Sequence, residues 1–529
     1  MVKPLKTQLY RGVFGEDERQ KLRLSGKGRR RPDAGSGAAE VMELAAFVDQ
    51  LQPRPRKNSD RLRDGSELGY RHPDPRRQNG NSGLSAKLER LALANPDYWS
   101  FSGNAKRDHG HGLLQYPAMM VPQMVRALLR AICDTESAVR SVGDPFVGSG
   151  TVLTEATLRG LDFVGRDINP LAILLCKVKA GPVYSRALIE RADELVTRIA
   201  GDRRISIEAD FNGIDKWFAA DVQRALSRIR RAIRQECSLW ARRFFWVALA
   251  ETVRLCSNSR TSTFKLHIRT RDDISGRAVD PATTYAKVLK RNLARFASLG
   301  NALREEEYLD CCGRYTGKVT LALGDARTPM RDTSGIVQAC DVIVTSPPYG
   351  DNATTVSYGQ YSYLPLQWLD LTDIDRKAEA DLLRTTQEID RRSLGGNRCV
   401  DCQTTESLRA RSPSLCTTLD HLADEPKDRA RRLIAFVRDL EACIPNVLKM
   451  LRPNGVMVWV LGNRRIGGRS VPLDIILTEL LQGCGASLVT EIRRRIPSKR
   501  MAVRNSIAET MANETILVFR NGVANAQTG

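Results

Sequence analysis

The chain has 529 residues, 42% of them apolar, which is enough to bury a core for more than one domain. Apolar runs such as FFWVALA at 244–250 fall far short of the roughly 20 residues that cross a bilayer, so no membrane span is expected. The N-terminus lacks the apolar core of a signal peptide, which points to a cytoplasmic protein whose 12 cysteines stay reduced, and 82 Lys and Arg against 61 acids give a net charge of +21 that favours a polyanionic partner, nucleic acid first.

Residues 1–95, with SGKGRRRPDAGSGAAE and QPRPRKNSDRLRDG, are dominated by Gly, Pro, Ser and Arg, which predicts a basic, largely disordered arm with one short helix at AAEVMELAAFVDQL. The pattern tightens from about 113. PAMMVPQMVRALLRAIC has helical spacing, SAVRSVGDPFVGSGT reads as a strand entering a glycine turn, TVLTEATLRG is helical, LDFVGRD is a second strand and NPLAILLCKVKA a second helix. This βαβα succession predicts a parallel sheet with right-handed crossovers. VTLALGDA, DVIVTSPPY and GVMVWVLGN resume the strands. The long helix RARRLIAFVRDLEACIPNVLKML precedes the last of these, and PLDIILTELLQGCG, SLVTEIRRRI and ETILVFR close the chain with a helix and a strand pair. The expected fold is α/β, a doubly wound, mostly parallel sheet built from 96–180 and 318–521, with 522–529 as a tail. A mostly helical insertion at 181–317 interrupts it, and a second irregular stretch, about 352–427, is too long for an ordinary loop. Insertions at the ligand edge of such a sheet shape substrate recognition.

The chemistry-bearing residues stand at the expected strand tips. DPFVGSGT at 144–151 lies between strand and helix, where Gly148 and Gly150 let backbone approach a ligand closely. Asp167, at the tip of the second strand, is placed to accept both hydroxyls of a ribose, and Asp325, after the third, to accept from an adenine amino group. Together these acids and glycines describe a nucleoside site. No GKT or GKS follows the first turn, so phosphate cradling in the P-loop manner is not expected.

The order YPAMMVP, DPFVGSGT, GRDINP, GDAR, TSPPY resembles the S-adenosylmethionine-dependent amino-group DNA methyltransferases, which modify N4 of cytosine or N6 of adenine, over most of 110–521. The resemblance implies a Rossmann-like methyltransferase domain that takes S-adenosylmethionine and double-stranded DNA. It implies that Phe146, Gly148 and Gly150 line the methionine end of the cofactor and that Asp144 lies beside its amino group. Asp167 would hold the ribose, Asp325 the adenine, and Tyr116 and Pro117 would cover the cofactor. At the tip, Ser346 and the carbonyl of Pro347 would accept from the target amino group. Pro348 would stiffen the turn, and the ring of Tyr349 would stack on a base flipped out of the duplex, followed by direct in-line methyl transfer with no metal.

Serine rather than an acid or amide at 346 favours cytosine N4 in this resemblance, with adenine N6 as the alternative. A methyltransferase acting on an RNA amino group and a noncatalytic nucleic-acid-binding protein are the remaining readings. A restriction endonuclease that cuts unmodified sites is an expected partner. The insertion at 181–317 is the candidate DNA-recognition subdomain; within it NSRTSTFKLHIRTR at 258–271 suits phosphate contacts, as does the basic RRRIPSKRMAVRNS near the C-terminus. Cys399, Cys402, Cys416 and His421 have the spacing of a zinc set, against which the loop-like RSPSL between them weighs.

Overall fold

DVIVT at 341–345 is an apolar run with Val342, Ile343 and Val344 fully buried, as a strand covered by helices on both faces requires. It belongs to a seven-stranded sheet in a computed structural model that describes residues 82–95, 97–101, 107–332, 335–336, 339–496 and 513–522. The strands are β1 (Ser141–Asp144), β2 (Asp162–Asp167), β3 (Val319–Leu323), β4 (Cys340–Thr345), β5 (Leu451–Leu461), β6 (Ser487–Arg495) and β7 (Asn513–Arg520). Their order across the sheet is β6-β7-β5-β4-β1-β2-β3. The pairs from β5 to β3 are parallel, while β7 runs antiparallel between β5 and β6. This is a doubly wound, Rossmann-like topology. Strand order reverses between β1 and β4, so the C-terminal tips of these two flank the crevice where such sheets bind ligands.

The helices that position the site are α1 (Ser82–Ala94), α2 (Pro122–Thr135), α3 (Thr151–Thr157) and α4 (Pro170–Lys179). The segment between β2 and β3 continues as α5 (Ser185–Gly201), α6 (Ala220–Arg234), α7 (Leu239–Cys256) and α8 (Pro281–Glu305). After β4 come α9 (Tyr358–Trp368), the short α10 (Glu388–Arg392), α11 (Cys402–Arg411), α12 (Pro413–Asp420) and α13 (Lys427–Met450), with α14 (Leu473–Gly483) before β6. Local chemistry sets several of their starts. Asn169 caps α4 by accepting from the Leu171 amide, with Pro170 in the first turn. Asp280 caps α8 in the same way ahead of Pro281.

Two expectations change. Residues 82–94, assigned above to a disordered arm, form α1, whose Leu84 and Leu88 are buried, so the folded chain starts earlier; 1–81, including AAEVMELAAFVDQL, lie outside the described residues. The stretch at 352–427, read as irregular, holds helices α9 to α12. Its exposed polar composition hid short helices that tertiary packing stabilises. The helices of 181–317 share one apolar core with the sheet through Phe244, Phe245 and Trp246. Asp373 ties the two insertions together, accepting from Arg242 Nε and Nη2 and Trp246 Nε1, each at 2.8 Å.

Candidate functional site

The tip of β1 passes into a turn built by its own backbone and by its neighbours' carboxylates. Gly148 and Gly150 have φ of 48° and 72°, the left-handed region that side chains resist. A Cβ on Gly150 would come within 2.9 Å of Cys176 Sγ, whereas one on Gly148 would meet nothing nearer than Tyr116 at 3.7 Å. The Gly148 amide donates to Asp167 Oδ2 at 2.8 Å, and Asp167 Oδ1 accepts from the Asn169 amide at 2.8 Å. Lys179 Nζ donates to the Ser149 carbonyl from below, at 2.6 Å. Burial pushes the Asp167 carboxyl up to about 6 and lowers the Lys179 ammonium to about 8.

A cleft of about 860 Å³, open solvent included, lies over this turn. Of the residues singled out from sequence, Tyr116, Pro117, Phe146, Gly148, Asp167, Asp325, Ser346 and Pro348 line it. Asp144, Gly150, Pro347 and Tyr349 do not line it. Asp144 is fully buried: its Oδ1 accepts from the Phe146 amide at 3.0 Å and from Thr345 Oγ1 at 2.7 Å, joining the tips of β1 and β4. Its Oδ2 has no partner, and burial raises its carboxyl to about 7. Asp325 does line the cleft, but its carboxylate is held by Arg327 through Nε at 2.9 Å and the Arg327 amide at 2.9 Å, and Arg327 also pairs with Asp439 at 3.2 Å. An adenine amino group would share that carboxylate with the guanidinium.

Other wall residues were not singled out from sequence. Asn169 Nδ2 donates to Tyr116 Oη at 3.1 Å and Ser362 Oγ at 2.7 Å, fixing the ring of Tyr116, which stacks 6.0 Å from that of Tyr358. The Asn-Pro pair after Asp167 is a helix-start signal that marks Asn169 in retrospect. Asn352 is buried with Nδ2 on Asp390 Oδ1 at 2.9 Å and Oδ1 without a partner. Ile389, Arg392, Ser393 and Leu394 close the far wall from the stretch at 352–427, too distant in sequence for any local pattern to place them. Of the aromatic run GQYSYLPLQWL, Tyr361, Tyr363 and Trp368 are buried in the core, and only the preceding Tyr358 reaches the cleft.

At the β4 tip, Ser346 Oγ donates to Tyr349 Oη at 3.2 Å, and Tyr349 Oη donates to Glu514 Oε1 at 3.0 Å. Burial holds the Tyr349 phenol well above its ordinary value, hence protonated. The loop at 258–271 reaches the segment just past Tyr349, where Lys265 Nζ donates to the Ala353 carbonyl at 2.9 Å and the Leu266 amide to Gln360 Oε1 at 3.2 Å. Most of RRRIPSKRMAVRNS lies outside the described residues.

Among the described residues, the set with zinc spacing is not gathered into a ligand cluster. Cys402 opens α11, Cys416 lies within α12 and His421 follows it, and among the described residues no group of three or more His, Cys, Asp or Glu is arranged to hold a metal. Spacing in sequence places ligands together only when the intervening chain folds back, and two helices separate these. No helix among the described residues is long and apolar enough to cross a membrane.

Across 455 residues, 83% of this chain and 97% of the relative, the sequence is 30% identical to the type II methyltransferase M.MvaI of Kocuria varians. The chain belongs to the type II methyltransferase family. A shorter match, 32% over 78 residues, links it to the type II methyltransferase M.MjaII of Methanocaldococcus jannaschii, covering 15% of this chain and 14% of that one. No protein-family model matches. Among solved structures the rRNA methyltransferase aviRa from Streptomyces viridochromogenes aligns over 77% of this chain and 87% of its own, at 10% identity and a TM-score of 0.27, too low to carry an argument. Family membership bears out the motif resemblance to DNA methyltransferases. It also implies S-adenosylmethionine as methyl donor, and the cleft of this type II methyltransferase fits that group. Gly148, at positive φ on the cleft wall, leaves room for a ligand against backbone, and Asp167 offers a carboxylate there.

Proposed function

We propose that this methyltransferase acts on the N4 amino group of a cytosine flipped out of double-stranded DNA. When bound, S-adenosylmethionine supplies a methyl group activated on a sulfonium; Phe146, Gly148, Asp167 and Asp325 would hold it, with Tyr116 and Pro117 as cover. Asp144 would face the ammonium group through the loop it supports. An exocyclic amino group is a poor nucleophile because its lone pair is delocalised into the ring, so the chain must accept its hydrogens and favour a pyramidal nitrogen. Ser346 is suited to this. Its hydroxyl proton is directed to Tyr349, which leaves its lone pairs available to a donor in the cleft. The Pro347 carbonyl is the second acceptor in this reading, and the ring of Tyr349 replaces the stacking that the flipped base loses.

The observation that carries the choice of N4 is a neutral serine, with neither acid nor amide, on the cleft wall at the β4 tip. The test is single-molecule modification sequencing of genomic DNA from a methylation-free host expressing the protein, beside a Ser346→Ala control. N4-methylcytosine at one recurrent motif, reduced by about 100-fold in rate in the control, is the expected result. N6-methyladenine at such a motif would replace the base and keep the tip. An absence of any new DNA mark with intact S-adenosylmethionine binding would point to RNA. The loop at 258–271, beside the segment that follows Tyr349, is the proposed reader of flanking DNA.

A further inference from the structure

The hydroxyl of Ser346 does not end at Tyr349. Beyond it stands Glu514, on the antiparallel strand β7, more than 160 residues later in the chain. Glu514 is itself held from the other side by Arg494 of β6, its cross-strand partner in register, through an ion pair. Arg494 is buried, and its Nε donates to the Trp99 carbonyl at 2.8 Å, which anchors the guanidinium that pairs with Glu514. The result is a continuous run, Ser346 Oγ–Tyr349 Oη–Glu514 Oε1, with steps of 3.2 and 3.0 Å and every donor pointing outward from the cleft.

We propose that Glu514 is the terminal proton acceptor of the methyl-transfer step, reached through Ser346 and Tyr349; this rests on the reading that methyl transfer occurs at Ser346. The target nitrogen uses its lone pair to bond the methyl carbon, and the pair of the former methyl bond leaves with the donor. The nitrogen, now cationic, gives one proton to Ser346 Oγ as the N–H pair returns to it. Ser346 passes its own proton to Tyr349 Oη, and Tyr349 passes its proton to Glu514. One proton has moved to the carboxylate, both hydroxyls are restored, and the product amine is neutral. Glu514 then returns the proton to solvent. Because burial disfavours the ionised phenol, Tyr349 takes the proton from Ser346 as it gives its own to Glu514, and no phenolate is left behind.

The experiment is single-turnover transfer of labelled methyl from S-adenosylmethionine to unmodified genomic DNA by the full chain, comparing wild type with Glu514→Gln, Tyr349→Phe and the double variant. Glutamine still accepts from Tyr349 but takes up no proton, and phenylalanine keeps the stacking ring. Each single variant should slow transfer by about 100-fold, with affinities for S-adenosylmethionine and DNA unchanged, and the double variant should be no slower than the slower single, since one relay is broken once. Wild-type rates in either single variant would overturn the proposal, as would multiplicative losses in the double variant. A loss in Glu514→Gln that tracks weakened cofactor or DNA binding would make Glu514 structural and also overturn it. A wild-type enzyme that transfers no methyl to DNA would instead remove the reading on which the relay rests.

Discussion

Asp167 does two jobs with one carboxylate. Its two oxygens hold the amides of Gly148 and Asn169, which fixes the glycine turn, and the same group faces the cleft. Because burial raises Asp167 to about 6 and Asp144 to about 7, the folded chain binds more protons than the unfolded one above the ordinary carboxylate range. The stability these two groups contribute therefore falls as pH rises through those values. Ligand binding should show the opposite sign, since hydroxyl and ammonium donors need the ionised form. Affinity for S-adenosylmethionine, measured by calorimetry, is expected to weaken as pH falls through about 7 and about 6. Asp167→Ala should weaken it above about pH 6 by at least about tenfold, from about 1.5–3 kcal/mol per charged hydrogen bond, and by less below that pH. An affinity flat across that window would remove the carboxylates from binding.

The turn between β1 and α3 makes the matching argument for an element. Both its glycines are left-handed, but only Gly150 also has no space, with Cys176 Sγ at 2.9 Å from a built Cβ. Gly150→Ala is expected to lower stability by about 1–3 kcal/mol and to displace the turn, with loss of cofactor binding. Gly148→Ala, strained only in φ and open in space, should lower stability less; urea midpoints of the two variants check the order. Equal midpoints would mean that packing beneath the turn yields freely.

For the whole molecule, the net charge of +21 is a statement about the partner's charge. If DNA is held through phosphate contacts, six to ten of them would reduce affinity by about 10³–10⁵ between about 50 and 200 mM salt. Fluorescence anisotropy with an unmodified duplex measures that slope directly. A shallow slope would assign the basic residues to intramolecular pairs, of which the described surface has many, such as Arg411 with Glu441 and Arg432 with Asp428.

The strands and helices of the sheet were legible because burial on both faces writes itself as apolar runs, and strand-tip acids and glycines mark ligand edges in any parallel sheet. DPFVGSGT, GRDINP, GDAR and TSPPY thus placed most of one cleft wall. The remaining wall was not readable. Ile389 and Leu394 arrive through folding of the stretch at 352–427, Arg327 claims the carboxylate of Asp325, and Glu514 meets Tyr349 only because β7 inserts antiparallel beside β5. Local sequence determined which residue types stand at each strand end, since those depend on neighbours a few positions away. Tertiary structure decided which side chains share a proton or a wall, because contacts across many tens of residues leave no periodicity in the chain.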